Sequence, residues 1–249
     1  MNYIASTKVL AIVNQSNMKI LMKGYIMKNT LLIIGSGPGI GLATAQRFAR
    51  EGYAIVLSSR NLKNLQAQSA KLSTYGIKAT LEVADANDST QIDNLVARLA
   101  KETRLTVLYN AGVLRYDEAG NLKPMTLTDH SREQLESDIN INLTSALVAV
   151  RAAEIGMSLQ NEGSIFITGG GFGINPSPDF LPISIGKAGI RALAKGMFEP
   201  LKAKGIHIGT VTVSKLIDSD SQESRDVADI FWDMESSPKE AWVWERVYG

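Results

Sequence analysis

Ile34-Gly35-Ser36-Gly37-Pro38-Gly39-Ile40-Gly41 follows the apolar run Thr30-Leu31-Leu32-Ile33 and leads into an amphipathic segment, Leu42 to Arg50. The pattern predicts a strand that hands over to a helix through glycines. Glycine admits positive φ and close backbone approach, and the first N–H groups of a helix have no partner within it and sit at the positive end of its dipole. Such a turn suits a pyrophosphate. It equally suits a glycine-rich turn that binds nothing, so the context has to decide. The spacing is G-x-x-x-G-x-G through Gly35, Gly39 and Gly41; a G-x-G-x-x-G fingerprint would need glycine where Ile40 stands.

Outward from the loop, apolar runs alternate with amphipathic segments. Ala54 to Ser58, Lys78 to Val83, Leu105 to Tyr109, Gly163 to Thr168 and Ile206 to Val213 read as strands, and Ala241 to Val247 as a last strand at the sheet edge. Helices are expected over Leu62 to Tyr75, Gln91 to Thr103, Asp226 to Met234 and from Lys187 through Leu201. Ser131 should open a long helix after the turn-rich connection Leu114 to Asp129, with an apolar face through Ile139, Leu143, Leu147, Val150 and Ile155. Phe172 to Pro182 contains Pro176, Pro178 and Pro182 and reads as a loop, its Phe172, Ile174 and Phe180 lining an apolar pocket. The alternation predicts an α/β fold: one Rossmann-type, doubly wound parallel sheet in a single domain, with its ligand at the carboxyl ends of the strands.

A chain of 249 residues, 45% hydrophobic and 20% charged, is long enough for one full core. Its net charge of +1 offers no electrostatic argument for nucleic acid or a membrane surface. With no cysteine, thiolate metal sites and a cysteine nucleophile are excluded, and a cytoplasmic location fits. His207 reads as a strand residue, and His130 is the only other histidine, so a histidine-based metal site has no support. Residues 1–27 carry Lys8, Lys19 and Lys23 without an acidic residue. They are expected to be a poorly ordered extension, or the product of a start codon placed early, before a domain over 28–249.

From about Lys28 onward the chain resembles the short-chain dehydrogenase/reductase (SDR) family, whose opening motif is T-G-x-x-x-G-I-G; Ile34 holds the Thr position. The resemblance implies a nicotinamide dinucleotide held by Gly35, Ser36, Gly37, Gly39, Ile40 and Gly41. Asp85 matches the family aspartate at the adenine, although Asp85-Ala86-Asn87-Asp88-Ser89 also reads as a turn and helix cap. Asn110-Ala111-Gly112 matches the N-A-G of the family's N-N-A-G, which stabilises the sheet and admits the cofactor ribose; Tyr109 replaces the first Asn. Asn142 matches the asparagine that holds a helix kink and a proton-relaying water. Lys187 matches the lysine that binds the nicotinamide ribose, Ile217 a backbone contact to the carboxamide, and Ser219 a position near the pyrophosphate. At the end of the second strand, Ser59 replaces the acid that would bind ribose hydroxyls and Arg60 follows. A guanidinium forking onto a 2′-phosphate is worth ~1.5–3 kcal/mol, which selects NADP over NAD. A solvated loop arginine is the alternative.

The same resemblance exposes two departures. The family's strand-end serine falls on Gly170, and the tyrosine of Y-x-x-x-K falls on Ile183, four residues before Lys187. The tyrosine is the family's general acid/base, a role worth ~10²–10⁴-fold in rate. Ser184 and Thr168 are nearby hydroxyls, shorter than a phenol, and a water held by Lys187 and Asn142 is a further donor. The resemblance therefore implies an NADP-dependent oxidoreductase, with Lys187 and Asn142 as its catalytic residues, acting on a small carbonyl or alcohol by hydride transfer with a non-standard proton donor. A non-catalytic NADP-binding sensor or interaction protein is the alternative, and a structural subunit binding no nucleotide is a third reading. Family members pair through the helices around Asn142 and Lys187, implying a homodimer or homotetramer, with Trp242 and Trp244 against a partner.

Overall fold

The computed structural model describes residues 28–249, so the expectation for residues 1–27 lies outside them. β1 (Asn29–Ile34) is buried from Thr30 to Ile34, as a strand covered on both faces must be. It pairs in parallel with β2 (Ala54–Ser59) on one side and β4 (Arg104–Tyr109) on the other. β3 (Ala79–Val83) adds beyond β2; β5 (Gly163–Thr168), β6 (Ile206–Val213) and β7 (Glu245–Tyr248) add beyond β4. The result is one parallel sheet ordered β3-β2-β1-β4-β5-β6-β7. Strand order reverses between β1 and β4, which opens a crevice at their carboxyl ends.

Helices cover both faces. α1 (Ile40–Arg50), α2 (Leu62–Ser73) and α7 (Gln222–Ser236) bring Phe48, Leu65 and Phe231 into one core with Ile33, Leu57 and Phe166. α3 (Ser89–Glu102), α5 (Ser145–Gln160) and α6 (Leu181–Ala203) bury Val96, Ala149 and Ile190 with Val107 and Ile165 on the other face.

The helix expected from Ser131 is built in three parts. Ser131 caps α4 (Arg132–Ile139) in a reciprocal pairing with Gln134, a π-helical turn spans Asn140–Thr144, and α5 continues. The wide turn rotates the faces of α5 away from where a regular helix would carry them. Leu147 and Ile155, expected in the core, are accordingly 45% and 54% exposed, while Ala146, Ala149, Ala152 and Ala153 face inward. Small residues are needed there: a Cβ on Gly156 would lie 2.5 Å from Ala100 of α3.

Two further expectations change. α6 begins at Leu181, so Pro182 lies in a helix rather than a loop; in a first turn its missing N–H costs nothing. The last strand starts at Glu245, after a 3₁₀ turn over Lys239–Ala241, and Arg191 pins it by forking onto Glu245 at 2.6 and 2.9 Å. Both tryptophans pack within the chain: Trp242 stacks on His207 at 4.6 Å, and Arg191 and Lys195 lie 5.7 and 5.6 Å from the Trp244 ring.

Candidate functional site

The glycine turn contains two kinds of glycine. Gly35 has φ +79° and a Cβ there would meet the Ala111 backbone at 2.4 Å, so the chain itself requires it. Gly37 has no atom within 4 Å of its virtual Cβ and is absent from the positive-φ residues, so neither packing nor conformation calls for glycine. That space is open from outside. Gly39 caps α1 without a side-chain bond, and Leu42 and Ala43 donate back to the Gly37 and Gly39 carbonyls at 3.0 and 3.1 Å. The N–H groups of Ile40 and Gly41 meet no acceptor among the described residues.

Ser36 belongs to the scaffold of the turn. Its N–H donates to the Ser58 carbonyl at 2.9 Å, its hydroxyl bonds Gln68 Oε1, and Gln68 Nε2 returns a bond to the Ser36 carbonyl at 3.1 Å. Gln68 is only 5% exposed. Nothing in the sequence singles out this glutamine, since a polar residue on an amphipathic helix reads as solvent-facing. The segment after β6 reaches back over the turn: the Ile217 and Asp218 carbonyls lie 3.9 Å from the virtual Cβ of Gly39, and Ser219 follows on the surface.

At the far end of the crevice, Ser59 closes β2 and Arg60 is exposed, in no ion pair with another described residue. Asp85 Oδ1 accepts the Asn87 N–H at 2.9 Å, while Asp88, not Asp85, caps α3 through Thr90 and Gln91. The turn and the helix cap thus fall on separate aspartates.

At the near end, Asn110 ties three strands together. Its N–H donates to Ile34, its Nδ2 to Gly35 at 3.0 Å, and its Oδ1 accepts Thr168 Oγ1 at 2.8 Å. Tyr109, in the position of the first Asn, donates its phenol to the Ile141 carbonyl in the π turn at 2.6 Å, and burial pushes that phenol well above its ordinary range. Asn142, in the same turn, accepts the Val113 N–H at 2.9 Å and leaves a buried Nδ2 with no partner. Lys187 is buried; its Nζ donates to the Thr168 carbonyl at 2.7 Å, and desolvation pulls the ammonium down to about 8. Asn142 Oδ1 and Lys187 Nζ converge on Gly112, 3.5 and 3.9 Å from its virtual Cβ.

Around Lys187 the hydroxyls are committed. Ser184 is buried; its Oγ donates to the Phe180 carbonyl at 2.9 Å and accepts the Ser177 N–H at 3.2 Å. Thr168 Oγ1 is held by Asn110. A Cβ on Gly170 would touch Lys187 Cγ at 3.3 Å, and Ile183 is buried one turn before the lysine. Phe172 and Phe180 stack at 5.2 Å beside them. A cavity of about 720 Å³ lies elsewhere, between Asn87 and the Glu133 to Thr144 stretch, and none of these site residues lines it. Among the described residues no cluster of His, Asp and Glu is arranged for a metal, and no helix is long and apolar enough to cross a membrane.

The crevice thus offers donors without acceptors at both ends: N–H groups at the start of α1 and the remaining N–H bonds of Lys187. Phosphate oxygens and ribose hydroxyls fit such a set. A doubly wound sheet with this turn at its switch point defines a dinucleotide-fold protein of the Rossmann type.

Comparison with known proteins narrows that class. A short chain dehydrogenase profile matches residues 29–227, and the chain belongs to that family. It is 27% identical over 182 residues to hydroxysteroid dehydrogenase-like protein 1 of Gallus gallus, covering 73% of this chain and 54% of that protein. It is 26% identical over 178 residues to inactive hydroxysteroid dehydrogenase-like protein 1 of Homo sapiens, covering 71% and 52%. The chain spans about half the length of these two relatives. A metagenomic short-chain oxidoreductase in complex with NADP superimposes with a TM-score of 0.76 at 21% identity, over 90% of this chain and 98% of that one, and shares the fold.

Proposed function

We propose that residues 28–249 form an NADP-binding domain that acts as an oxidoreductase on a small carbonyl or alcohol compound, by hydride transfer and with a proton donor other than tyrosine. The observation that carries this reading is the space at Gly37 beside the unpartnered N–H groups of Ile40 and Gly41. A turn whose glycine answers no need of its own chain is suited to the backbone approach of a pyrophosphate. Gly39 completes that turn, and Ile217 and Ser219 flank it.

Bound there, the dinucleotide supplies the hydride. The chain's own residues hold and orient it. Arg60, free to swing toward the end of β2, forks onto the 2′-phosphate; Ser59 and Asp85 border the adenosine; Ala111 and Gly112 present backbone to the ribose. Lys187 supplies donors to the ribose hydroxyls at the nicotinamide end and carries positive charge next to the reacting oxygen, while Asn142, in the π turn, holds the kink and a water beside Lys187. Phe172, Phe180 and Ile183 exclude water from one wall. The assembly is a homodimer or homotetramer, and the location cytoplasmic.

The second reading is a non-catalytic NADP sensor or interaction protein. It is favoured by Gly170 and Ile183 and by the prior commitment of the Ser184 and Thr168 hydroxyls; the human relative's name includes the word inactive. The two readings separate on NADPH oxidation against a panel of aldehydes and ketones. Turnover lost in Lys187→Ala is the expected result, whereas a protein that binds NADPH and reduces nothing is the sensor.

A further inference from the structure

Beside Ile183 lies a cavity of about 20 Å³ bordered by Arg115, His130, Asp138, Phe180 and Pro182. It has room for about one water. Arg115, three residues beyond Gly112, forks onto Asp138 with bonds of 2.5 and 2.8 Å. Asp138 is near the end of α4, next to the π turn that carries Asn142, and its side chain is 3% exposed. The His130 side chain is also 3% exposed.

The imidazole has a defined orientation. Its Nδ1 lies 2.8 Å from the Thr126 carbonyl, an acceptor only, so Nδ1 carries the proton of the neutral ring and Nε2 is its bare nitrogen. Nε2 makes no hydrogen bond to a described residue and lies 3.9 Å from Asp138 Oδ2, too far to bond it yet close enough to feel its charge. Asp138 has its partner in Arg115 and needs none from the ring. A buried imidazole whose Nε2 has no hydrogen-bond partner among the described residues therefore shares a water-sized space with Ile183, the residue standing where the family has its acid.

We propose that His130 is the proton relay that replaces the tyrosine, acting through a water in this cavity, with Asp138 stabilising the imidazolium and Arg115 fixing Asp138. This rests on the oxidoreductase reading above. On reduction the carbonyl carbon gains the hydride and its π pair moves to oxygen. That oxygen takes a proton from the cavity water, the water takes one from His130 Nε2, and solvent returns a proton to the ring. Asp138, Asp179 and the preceding Asp129 face the ring region with negative charge and Arg115 and Lys123 with positive charge, so the imidazolium does not stand against a cationic surround.

The chain has two histidines, so His130 and His207 are resolved by ring NMR once His130→Gln removes one signal. In the full-length protein we expect the neutral His130 ring to be the Nδ1–H form. We expect His130→Gln to keep NADPH affinity within about twofold and to lose ~10²–10⁴-fold in kcat; free imidazole should partly restore His130→Ala. An Nε2–H ring in the wild type overturns the proposal even if the variants fail to fold. So does wild-type kcat in His130→Gln, or a loss in the His130 variants that imidazole does not restore. A wild type that binds NADPH but reduces nothing overturns the relay alone, leaving the cofactor site standing; one that binds no NADPH removes the oxidoreductase reading first.

Discussion

Replacing Lys187 by methionine tests the electrostatics of the site without any ligand. Burial lowers the ammonium from an ordinary 10.5 to about 8. Between those values the unfolded chain holds more proton than the folded one, so stability rises with pH across that window; below it the cost of burying the charge is fully present. Integrating the linkage from about pH 7 to about pH 9.5 gives a gain of roughly 2 kcal/mol for the wild type. Methionine fills a similar volume and cannot titrate. Its loss of the bond to the Thr168 carbonyl costs roughly 1 kcal/mol at every pH and leaves the slope untouched. The assay is urea unfolding followed by tryptophan fluorescence at both pH values, in both proteins, so that buried tyrosines such as Tyr53 and Tyr109 cancel. At an m-value of ~2 kcal/mol per molar, the wild-type midpoint should rise by ~1 M relative to the variant. Parallel pH profiles would refute a desolvated Lys187 ammonium.

Two glycine substitutions should behave oppositely. Gly37→Ala should leave urea stability within about 0.5 kcal/mol, because nothing of the chain lies near its virtual Cβ, yet weaken NADPH at least tenfold in a titration by filling the cradle. Gly35→Ala, at φ +79° and 2.4 Å from the Ala111 backbone, should cost more than ~3 kcal/mol or prevent folding, visible as loss of the cooperative transition. Tyr109→Phe leaves the Ile141 carbonyl without its phenol and should cost ~1–3 kcal/mol in the same assay; an unchanged midpoint would mean that the π turn does not rely on it.

The sheet was readable because buried parallel strands are apolar runs and the helices between them have a different period. All seven strands appear in the expected order, and the glycine turn falls between β1 and α1. Less legible were features that depend on residues far apart. The inward face of α5 is alanine because α3 approaches closely at Gly156, and the π turn shifts the register, so a search for bulky apolar residues picked out Leu147 and Ile155. Gln68 and Ser36 are 32 positions apart, and neither residue type announces a buried pair. The Arg115–Asp138–His130 cluster likewise joins a loop, the end of a helix and a second loop, with no local pattern to betray it. The contacts of Trp242 with His207, and of Trp244 with Arg191 and Lys195, likewise join residues distant in sequence.

The central claim is that the turn at Gly35 to Gly41 cradles the phosphates of NADP. It is tested most directly by titrating the purified protein with NADPH and NADH, reading energy transfer from tryptophan to the nicotinamide, and repeating the titration with Arg60→Ala. The account predicts saturable NADPH binding, weaker NADH binding, and a loss in Arg60→Ala of roughly tenfold or more for NADPH alone, the worth of one forked guanidinium–phosphate contact. Absence of binding by either dinucleotide would contradict it.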